Sequence, residues 1–455
     1  MLKIYNSLTK IEEEIKPIKK GHIGMYTCGP TVYNFDHIGH GWNYFNSDIL
    51  RRVLEYQKIK VKHVLNITDV GHLTSDADTG EDKLEKAAKL SGKSAWEIAD
   101  YFTKIYFENR KKLNFLEPTV VVKATDHIKE MIKLVQTLLK KHYAYEISDG
   151  IYFDTSKFKE YGKLSGNTLE KLKEGARIEI NSEKKNATDF ALWKFSAEGE
   201  KRQMEWDAFG KKGFPGWHIE CSAMSIKYLG KTFDIHTGGE DNIFPHHECE
   251  IAQSESANNA KFVNYWFHTR FLLVEGEKMS KSKNNFFTIS DLEERGFNAL
   301  DLRYLFLTSH YRSQINFTWQ GLQSAKIARG KLNDFITSIK NIGKVNKDSK
   351  EKFLKYINDD LAMPKVIALV WEIIKSDLSD EDKKATIFDF DKVLGLSLGK
   401  VKEEEIPKEA INLAEERLKA RAEKDFKKSD ELRDQIDKLG YIIEDTKEGY
   451  KLKKK

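Results

Sequence analysis

The chain is poor in cysteine, in net charge and in long apolar runs. Three cysteines among 455 residues are too few for a disulfide framework, which favours a role in metal binding or catalysis for some of them. Lys and Arg number 76 and Asp and Glu 71, and the net charge of +5 permits a nucleic-acid partner without requiring one. No run of about 18 apolar residues exists, so we expect no membrane-spanning helix. The first 20 residues lack an apolar signal core, which points to the cytoplasm.

The composition is otherwise that of a folded protein with a large core. Hydrophobic residues make up 40% of the chain and aromatic residues 11%, which excludes disorder over most of its length. The length suggests two to four domains. No internal repeat is present.

The N-terminal part has the pattern of a βαβ unit. Residues 22–28 are predicted to form a buried strand that runs into a Gly29-Pro30 turn, residues 41–57 a helix, and residues 61–67 a second strand. Such a unit builds a parallel sheet, and parallel sheets bind ligands at the C-terminal ends of their strands. Cys28 and Thr68 fall at those ends.

Further elements follow along the chain. The pattern from about 76 to 200 is charged and mostly helical, with a strand-like patch at 150–154, and indicates an insertion between two halves of the sheet. A strand is predicted at 232–239 and a helix from His246 to about Ser254. Ser290 and Glu293 form a capping-box pattern at another helix start. Long helices are expected from 300 to 400, and residues 401–455 separate as a small module with a basic tip.

Two motifs suggest phosphate chemistry. The string His37-Ile38-Gly39-His40 opens the first predicted helix, whose N-terminus suits phosphate, and Gly39 permits close approach of a ligand. Imidazoles three residues apart can donate to phosphoryl oxygens; alternatively, they are ordinary histidines near a helix start.

The second motif is Lys278-Met279-Ser280-Lys281-Ser282. Ammonium groups on such a loop can close over a polyphosphate. A solvated basic loop is the alternative interpretation of the lysines.

In this order the two motifs resemble the signature of class I aminoacyl-tRNA synthetases. Five further blocks narrow the resemblance to the cysteinyl-tRNA synthetase family over nearly the whole chain: MYTCGPTVYNFDHIGH at 25–40, GWHIECSAMS at 216–225, HTGGEDNIFPHHECEIAQSE at 236–255, HYRSQINF at 310–317 and ARAEKDFKKSDELRDQIDKLGYIIEDT at 420–446. The resemblance implies an α/β fold: a Rossmann-like parallel-sheet catalytic domain with an insertion, then a helical bundle and a small C-terminal anticodon-binding domain. We assign the catalytic domain to 1–120 and 205–290, the insertion to 121–204, the stem-contact region and bundle to 291–400, and the anticodon-binding domain to 401–455.

A metal site is suggested by the cysteines and a His/Glu cluster. His246 and Glu250 lie four residues apart on one helix face, and His246 and Cys249 lie three apart; the spacing alone does not choose between these pairs. The resemblance implies a zinc ion held by Cys28, Cys221, His246 and Glu250, with Cys249 as a structural residue. Zinc binds thiolate strongly and hydroxyl poorly, so it would separate cysteine from serine without an editing domain.

The resemblance also implies substrate contacts. Gly29, Thr31, Thr68 and Trp217 match positions around the bound amino acid, although Trp217 could instead be a core residue. The implied ATP site comprises His37, Gly39, His40, Gly238, Gly239, Asp241 and Lys281, and the implied catalytic residues are His37, His40, Lys278 and Lys281. Glu240 stands beside Asp241 and competes for its role.

In the tail, the resemblance implies anticodon contacts by Arg421, Phe426, Asp430 and Asp445. A solvated helix surface is the alternative for the charged residues. The sequence departs from the family at 449–452, a stretch in which the family often has a tryptophan and this chain has Tyr450. It departs also at the acidic stretch 69–83, a solvated loop or a metal loop, and at 195–215.

The implied activity is two-step. ATP and L-cysteine form cysteinyl-adenylate with Mg²⁺ present, and the cysteinyl group then passes to the 3′ end of tRNA(Cys). A monomer is the family expectation. The alternatives are a ligase that couples cysteine to an amino sugar and a non-enzymatic RNA-binding relative. The tail module argues against the first and the intact motifs against the second.

Overall fold

The structure, a computed structural model, describes residues 2–72, 82–167, 181–197, 199, 202–279, 285–398, 407–446 and 449–454. The chain divides into two compact units, Met1–Gly399 and Lys400–Lys455. Across the described ranges, no helix is both long enough and apolar enough to cross a membrane.

The first unit mixes helices and strands and ends in a run of helices, whereas in the second unit two helices precede two strands. The strands are β1 Lys3–Asn6, β2 Ile11–Glu14, β3 His22–Thr27, β4 Lys60–Ile67, β5 Val120–Lys123, β6 Ala144–Ile147, β7 Gly150–Phe153, β8 Phe190–Phe195, β9 Trp206–Ala208, β10 Lys211–Pro215, β11 Phe233–Gly239, β12 Val263–Thr269, β13 Leu272–Val274, β14 Glu277–Lys278, β15 Ile315–Phe317, β16 Tyr441–Thr446 and β17 Gly449–Lys454. The α-helices are α1 Ile38–Tyr56, α2 Lys83–Ser91, α3 Ala95–Lys112, α4 Ile128–Lys140, α5 Trp217–Leu229, α6 Glu248–Asn258, α7 Ile289–Glu294, α8 Ala299–Leu307, α9 Trp319–Ser338, α10 Lys347–Asn358, α11 Met363–Lys375, α12 Asp380–Leu394, α13 Lys408–Ala422 and α14 Phe426–Lys438.

A five-stranded parallel sheet of order β12-β11-β3-β4-β5 forms the centre of the first unit. The predicted βαβ unit is confirmed as β3, α1 and β4. From β3 the chain builds outward to β4 and β5, and it resumes at β11 on the other side of β3. Connections therefore leave β3 and β11 in opposite directions, which opens a crevice at the C-terminal ends of these strands.

A second, antiparallel sheet of order β6-β7-β8-β10-β9 lies in the region of the insertion. Residues 206–215, which we assigned from the sequence to the catalytic domain, pair with this second sheet. The turn Phe209-Gly210 has positive φ at both positions (55° and 77°), as hairpin turns of two residues require. It folds β10 back between β9 and β8.

Two predicted helix starts are wrong by two residues. The helix expected from His246 begins at Glu248, because Ile243–His247 forms a wider π-type turn before it. The capping box is formed by Thr288 and Asp291 rather than by Ser290 and Glu293. The Thr288 hydroxyl accepts from the Asp291 N–H at 3.3 Å, and the Asp291 carboxylate accepts from the Thr288 N–H at 2.6 Å.

Separate apolar cores support the site and the tail. One core packs α1 and one face of the central sheet against the helices after residue 290. Another packs α4, α5 and the second sheet on the opposite face. The helical bundle expected from 300 to 400 is present as α8 to α12. The tail core is small: Ala410, Ala414, Ile436, Tyr441, Ile443 and Leu452.

Candidate active site and metal centre

His37 caps the helix that follows the first strand of the crevice. Its Nδ1 accepts the N–H groups of Gly39 and His40 at 3.1 and 3.2 Å, so the ring proton must sit on Nε2. Burial, helped by the neighbouring His40, lowers the pKa of His37 to about 3. His37 is therefore a neutral donor at physiological pH. It stacks on His40 with ring centroids 3.8 Å apart.

The two sequence motifs meet at Gly39. A Cβ atom on Gly39 would lie 2.5 Å from the Met279 side chain and 2.9 Å from the His37 ring, so glycine is needed there. His40 is held on its outer side by Asp36, with Nδ1 3.1 Å from Oδ1. The Lys278 ammonium lies 4.0 Å from the centroid of the Phe271 ring. Lys281 lies outside the described residues.

A cavity of about 370 Å³ opens between these motifs and the sheet. It gathers thirteen of the residues that we singled out from the sequence: Cys28, Gly29, Thr31, His37, Gly39, His40, Thr68, Trp217, Cys221, Gly239, Asp241, His246 and Lys278. Residues of both motifs that suggest phosphate binding thus line the same cavity as Cys28 and Cys221. Gly238, the next-to-last residue of β11, lies beside His247 and is not among the residues that line the cavity.

The four residues implied as zinc ligands converge behind this cavity. Cys28 follows β3, Cys221 lies on α5, His246 lies in the turn before α6, and Glu250 lies in the first turn of α6. Their ligand atoms are all within 4.8 Å of one another, and all four are buried. The Sγ atoms are 3.8 Å apart, Cys28 Sγ is 3.8 Å from Glu250 Oε1, and His246 Nε2 is 3.0 Å from that oxygen. A tetrahedral zinc with ligands at 2.0–2.3 Å needs ligand atoms about 3.3–3.8 Å apart. The residues fit a zinc ion.

A second set of four ligand atoms overlaps the first. It keeps Cys28 and Glu250 but uses His236 and His247. His236 Nε2 lies 2.9 Å from Glu250 Oε2, and His247 Nε2 lies 3.3 Å from Cys28 Sγ. Sequence reasoning missed His236, although it stands inside a quoted block, because β11 brings it to Glu250 only in the folded sheet.

Two further histidine rings of this cluster are linked by their second nitrogens. His247 Nδ1 is 2.7 Å from His268 Nε2, and His268 Nδ1 is 2.8 Å from the Ser7 hydroxyl. Burial and the other imidazoles lower the pKa of His247 well below its ordinary value. Neutral imidazoles suit the surroundings of a metal, where they orient the ligands.

Buried polar groups support the part of the cavity wall formed by Thr68 and Gly29. Thr68 Oγ1 donates to Glu220 Oε2 at 2.9 Å, and His72 Nε2 lies 2.5 Å from Glu220 Oε1. The Gly29 N–H donates to Asn66 Oδ1 at 2.8 Å, and a Cβ on Gly29 would collide with the Asn66 carbonyl. We did not predict a role for Glu220 from the sequence, because the adjacent Cys221 was the residue singled out in that block.

Trp217 forms a wall of the cavity. Its ring is half-buried and lies 4.5 Å, between centroids, from the His246 ring. Behind it, His218 Nδ1 is 3.0 Å from His246 Nδ1.

Cys249 is fully buried, with Sγ 3.4 Å from the Tyr161 hydroxyl, and it belongs to neither set of ligand atoms.

Of the acidic stretch 69–83, residues 73–81, which include Asp76, Asp78 and Glu81, lie outside the described residues. Asp82 is buried, accepts the N–H of Leu84 at 2.8 Å as the cap of α2, and pairs with Arg202. These contacts give Asp82 a structural role.

The tail residues form two groups. Asp445 accepts from Arg417 at 2.7 Å and pairs with Arg421 at 3.0 Å, and hydrogen bonding to Arg417 holds the pKa of the Asp445 carboxyl low. Phe426, 63% exposed, and Asp430 stand one turn apart on α14. Tyr450 lies opposite Asp445 in the β16–β17 ladder.

Comparison with known proteins identifies the family that shares this fold and site. Residues 14–327 match the family model of the tRNA synthetases class I (C) catalytic domain, and residues 403–450 match the cysteinyl-tRNA ligase anticodon binding domain. The fold resembles a Mycobacterium tuberculosis methionyl-tRNA synthetase solved with methionyl-adenylate, with a TM-score of 0.56 at 13% identity over 83% of this chain and 92% of that one. Fold and site thus define a class I tRNA synthetase.

Relatives that match over nearly their whole length identify the family within this class. The chain is 45% identical to cysteine–tRNA ligase 1 of Burkholderia lata, over 99% of this chain and 96% of that protein. It is 42% identical to a cysteine–tRNA ligase of Thermus thermophilus, over 98% of each. The chain belongs to the cysteine–tRNA ligase family.

Proposed function

We propose that the enzyme activates L-cysteine with ATP to cysteinyl-adenylate, transfers the cysteinyl group to the 3′ end of tRNA(Cys), and separates cysteine from serine by zinc–thiolate coordination. One observation carries the proposal: three of the four clustered residues, Cys28, Cys221 and His246, line the same cavity as residues of the two motifs that suggest phosphate binding. A substrate thiol at the cluster places its carboxylate toward those motifs.

The described residues supply positioning and electrostatic stabilisation. The neutral His37 ring donates its Nε2–H toward the α-phosphate, since its Nδ1 is occupied by the helix cap. Lys278 offers an ammonium group to the leaving pyrophosphate. Mg²⁺ accompanies ATP as a phosphate-bound ion. Lys281 keeps the role that the resemblance implies.

The metal cluster accounts for selectivity. Burial and the adjacent Cys221 raise the pKa of the Cys28 thiol, whereas hydrogen bonds to Cys28 and His246 outweigh burial and lower the pKa of the Cys221 thiol. Bound zinc stabilises thiolate, whereas a serine hydroxyl stays protonated and coordinates poorly. Two substrates that differ by one atom are thereby separated by chemistry rather than by shape.

The test is charging of tRNA(Cys) with labelled cysteine, before and after zinc removal by a chelator and after zinc is restored. Charging should fall on chelation and return with zinc. Serine should support ATP–pyrophosphate exchange far more weakly than cysteine; serine activated within about tenfold of cysteine would contradict zinc-based selection.

The competing function is a ligase with another acceptor for the cysteinyl group. The match of residues 403–450 to an anticodon-binding model favours tRNA. Cysteine-dependent exchange without charging of tRNA(Cys) would support the competitor. A monomeric, cytoplasmic enzyme remains the prediction from the sequence.

A further inference from the structure

Exposed aromatic rings adjoin the loop that leads to His37. Phe35, two residues before His37, is 43% exposed, and Tyr101 on α3 is 45% exposed. Both contact Phe102 edge-on, each with ring centroids 5.1 Å apart, and they lie 6.5 Å from each other. Single exposed rings are ordinary on protein surfaces, but adjoining ones mark an interaction surface.

Lysines accompany these rings. The Lys93 ammonium lies 4.9 Å from the centre of the Tyr101 ring. Closer to the cavity, which both residues line, the Lys83 ammonium lies 5.7 Å from the centre of the Tyr33 ring. We call Tyr33, Phe35, Tyr101, Lys83 and Lys93 the aromatic ledge. It links the loop before His37 to the α2–α3 pair of helices and continues from the cavity onto the surface.

We propose that the aromatic ledge holds the unpaired nucleotides at the 3′ end of the tRNA, next to the terminal one that receives the cysteinyl group. The inference rests on the proposed function, which requires the terminal ribose to enter the cavity. Phe35 is at most about 7 Å of chain from His37, so a nucleotide adjoining the reacting one reaches the ledge.

The chemistry of the ledge matches single-stranded RNA. Exposed aromatic planes stack on bases of any sequence, and ammonium groups neutralise the phosphates between them. Lys83 and Lys93 place ammonium groups beside the Tyr33 and Tyr101 rings, where phosphates can pair with them, whereas a purely apolar partner offers these charges no counter-charge. Charge complementarity therefore favours RNA over an apolar protein surface.

The test compares Tyr101→Leu with Tyr101→Phe in the full-length enzyme. Leucine keeps apolar bulk but loses the ring plane, so KM for tRNA(Cys) should rise about tenfold, equivalent to about 1.4 kcal/mol and within the range for one base stack. Phenylalanine should restore the parent KM. Cysteine-dependent ATP–pyrophosphate exchange should stay within about twofold in both variants, because Tyr101 does not line the cavity. The matched control is Ile327→Ala, at a 50% exposed position on α9, which should change neither reaction.

A binding measurement tests the aromatic ledge independently of catalysis. Intact tRNA(Cys) should bind the parent enzyme more tightly than tRNA lacking its last four nucleotides, and Tyr101→Leu should abolish that difference. If Tyr101→Leu leaves both the KM and the difference unchanged, the proposal is overturned, and the rings become a candidate docking surface for a protein. If the parent enzyme charges no tRNA, the proposed function fails, while the binding comparison with the two tRNAs still decides on the ledge.

Discussion

Replacing Asp48 by asparagine should destabilise the first unit strongly. Asp48, buried on α1, accepts from Arg52 Nε and from Arg303 Nη2, each at 2.7 Å. Its other oxygen accepts the Leu116 N–H at 2.7 Å. Arg303 is fully buried and also donates to the Leu394 carbonyl at 2.7 Å. One carboxylate thus ties the first helix of the catalytic half to the helices after residue 290.

The magnitude follows from the charges. Burial alone would raise the pKa of the Asp48 carboxyl, but Arg52 and Arg303 outweigh it and lower the pKa from 3.8 to about 2. That shift corresponds to about 2.5 kcal/mol. Asparagine also removes the carboxylate charge that two buried guanidinium groups share, and breaking a buried ion pair from one side costs about 3–5 kcal/mol. The entropy of unfolding is about 0.8 kcal/mol/K for 400 residues, so the midpoint temperature of thermal unfolding should fall by about 4–6 °C.

The assay is thermal unfolding at pH 7, with Glu55→Gln as the matched control. Glu55 lies on the same helix and pairs with Arg51 at 2.8 Å, but its side chain is 37% exposed, so its loss should cost less than about 1 kcal/mol. Because the folded pKa of Asp48 is depressed, its contribution is complete above pH 3.8 and declines as the pH falls toward 2. The gap between parent and Asp48→Asn should therefore be constant from pH 6 to 8. Equal midpoints for the two variants would refute the reasoning.

Three further predictions concern the site and the tail. Cys221→Ser should lose bound zinc and Cys249→Ser should keep it, as metal analysis of the purified variants will show; the reverse result would reassign the ligands. The His37 ring should stay neutral with its proton on Nε2 from pH 5 to 8 in ¹⁵N-histidine NMR, because its pKa is lowered to about 3, and a titration near pH 6.5 would contradict its burial. Arg421→Ala should raise KM for tRNA(Cys) about tenfold and leave pyrophosphate exchange unchanged, whereas an unchanged KM would return Arg421 to a solvated surface.

The sequence alone was sufficient for the local elements around the site. Apolar runs and helical spacing predicted β3, α1 and β4, since a buried strand and an amphipathic helix each carry their own periodicity. The paired motifs and the five sequence blocks predicted the class I fold and the cysteine–tRNA ligase family. Local pattern also placed Cys28 at the end of a strand, because a strand end is a property of its own residues.

Only the tertiary structure brought together groups that are distant in the chain. His236 meets Glu250, Glu220 meets Thr68, and Arg303 meets Asp48 across separations that no spacing rule covers. The same holds for β10, which pairs with β8 of the second sheet although we assigned its residues from the sequence to the catalytic domain. Periodicity reports which face of an element is buried, whereas the identity of the partner on that face depends on strand order and crossover connections.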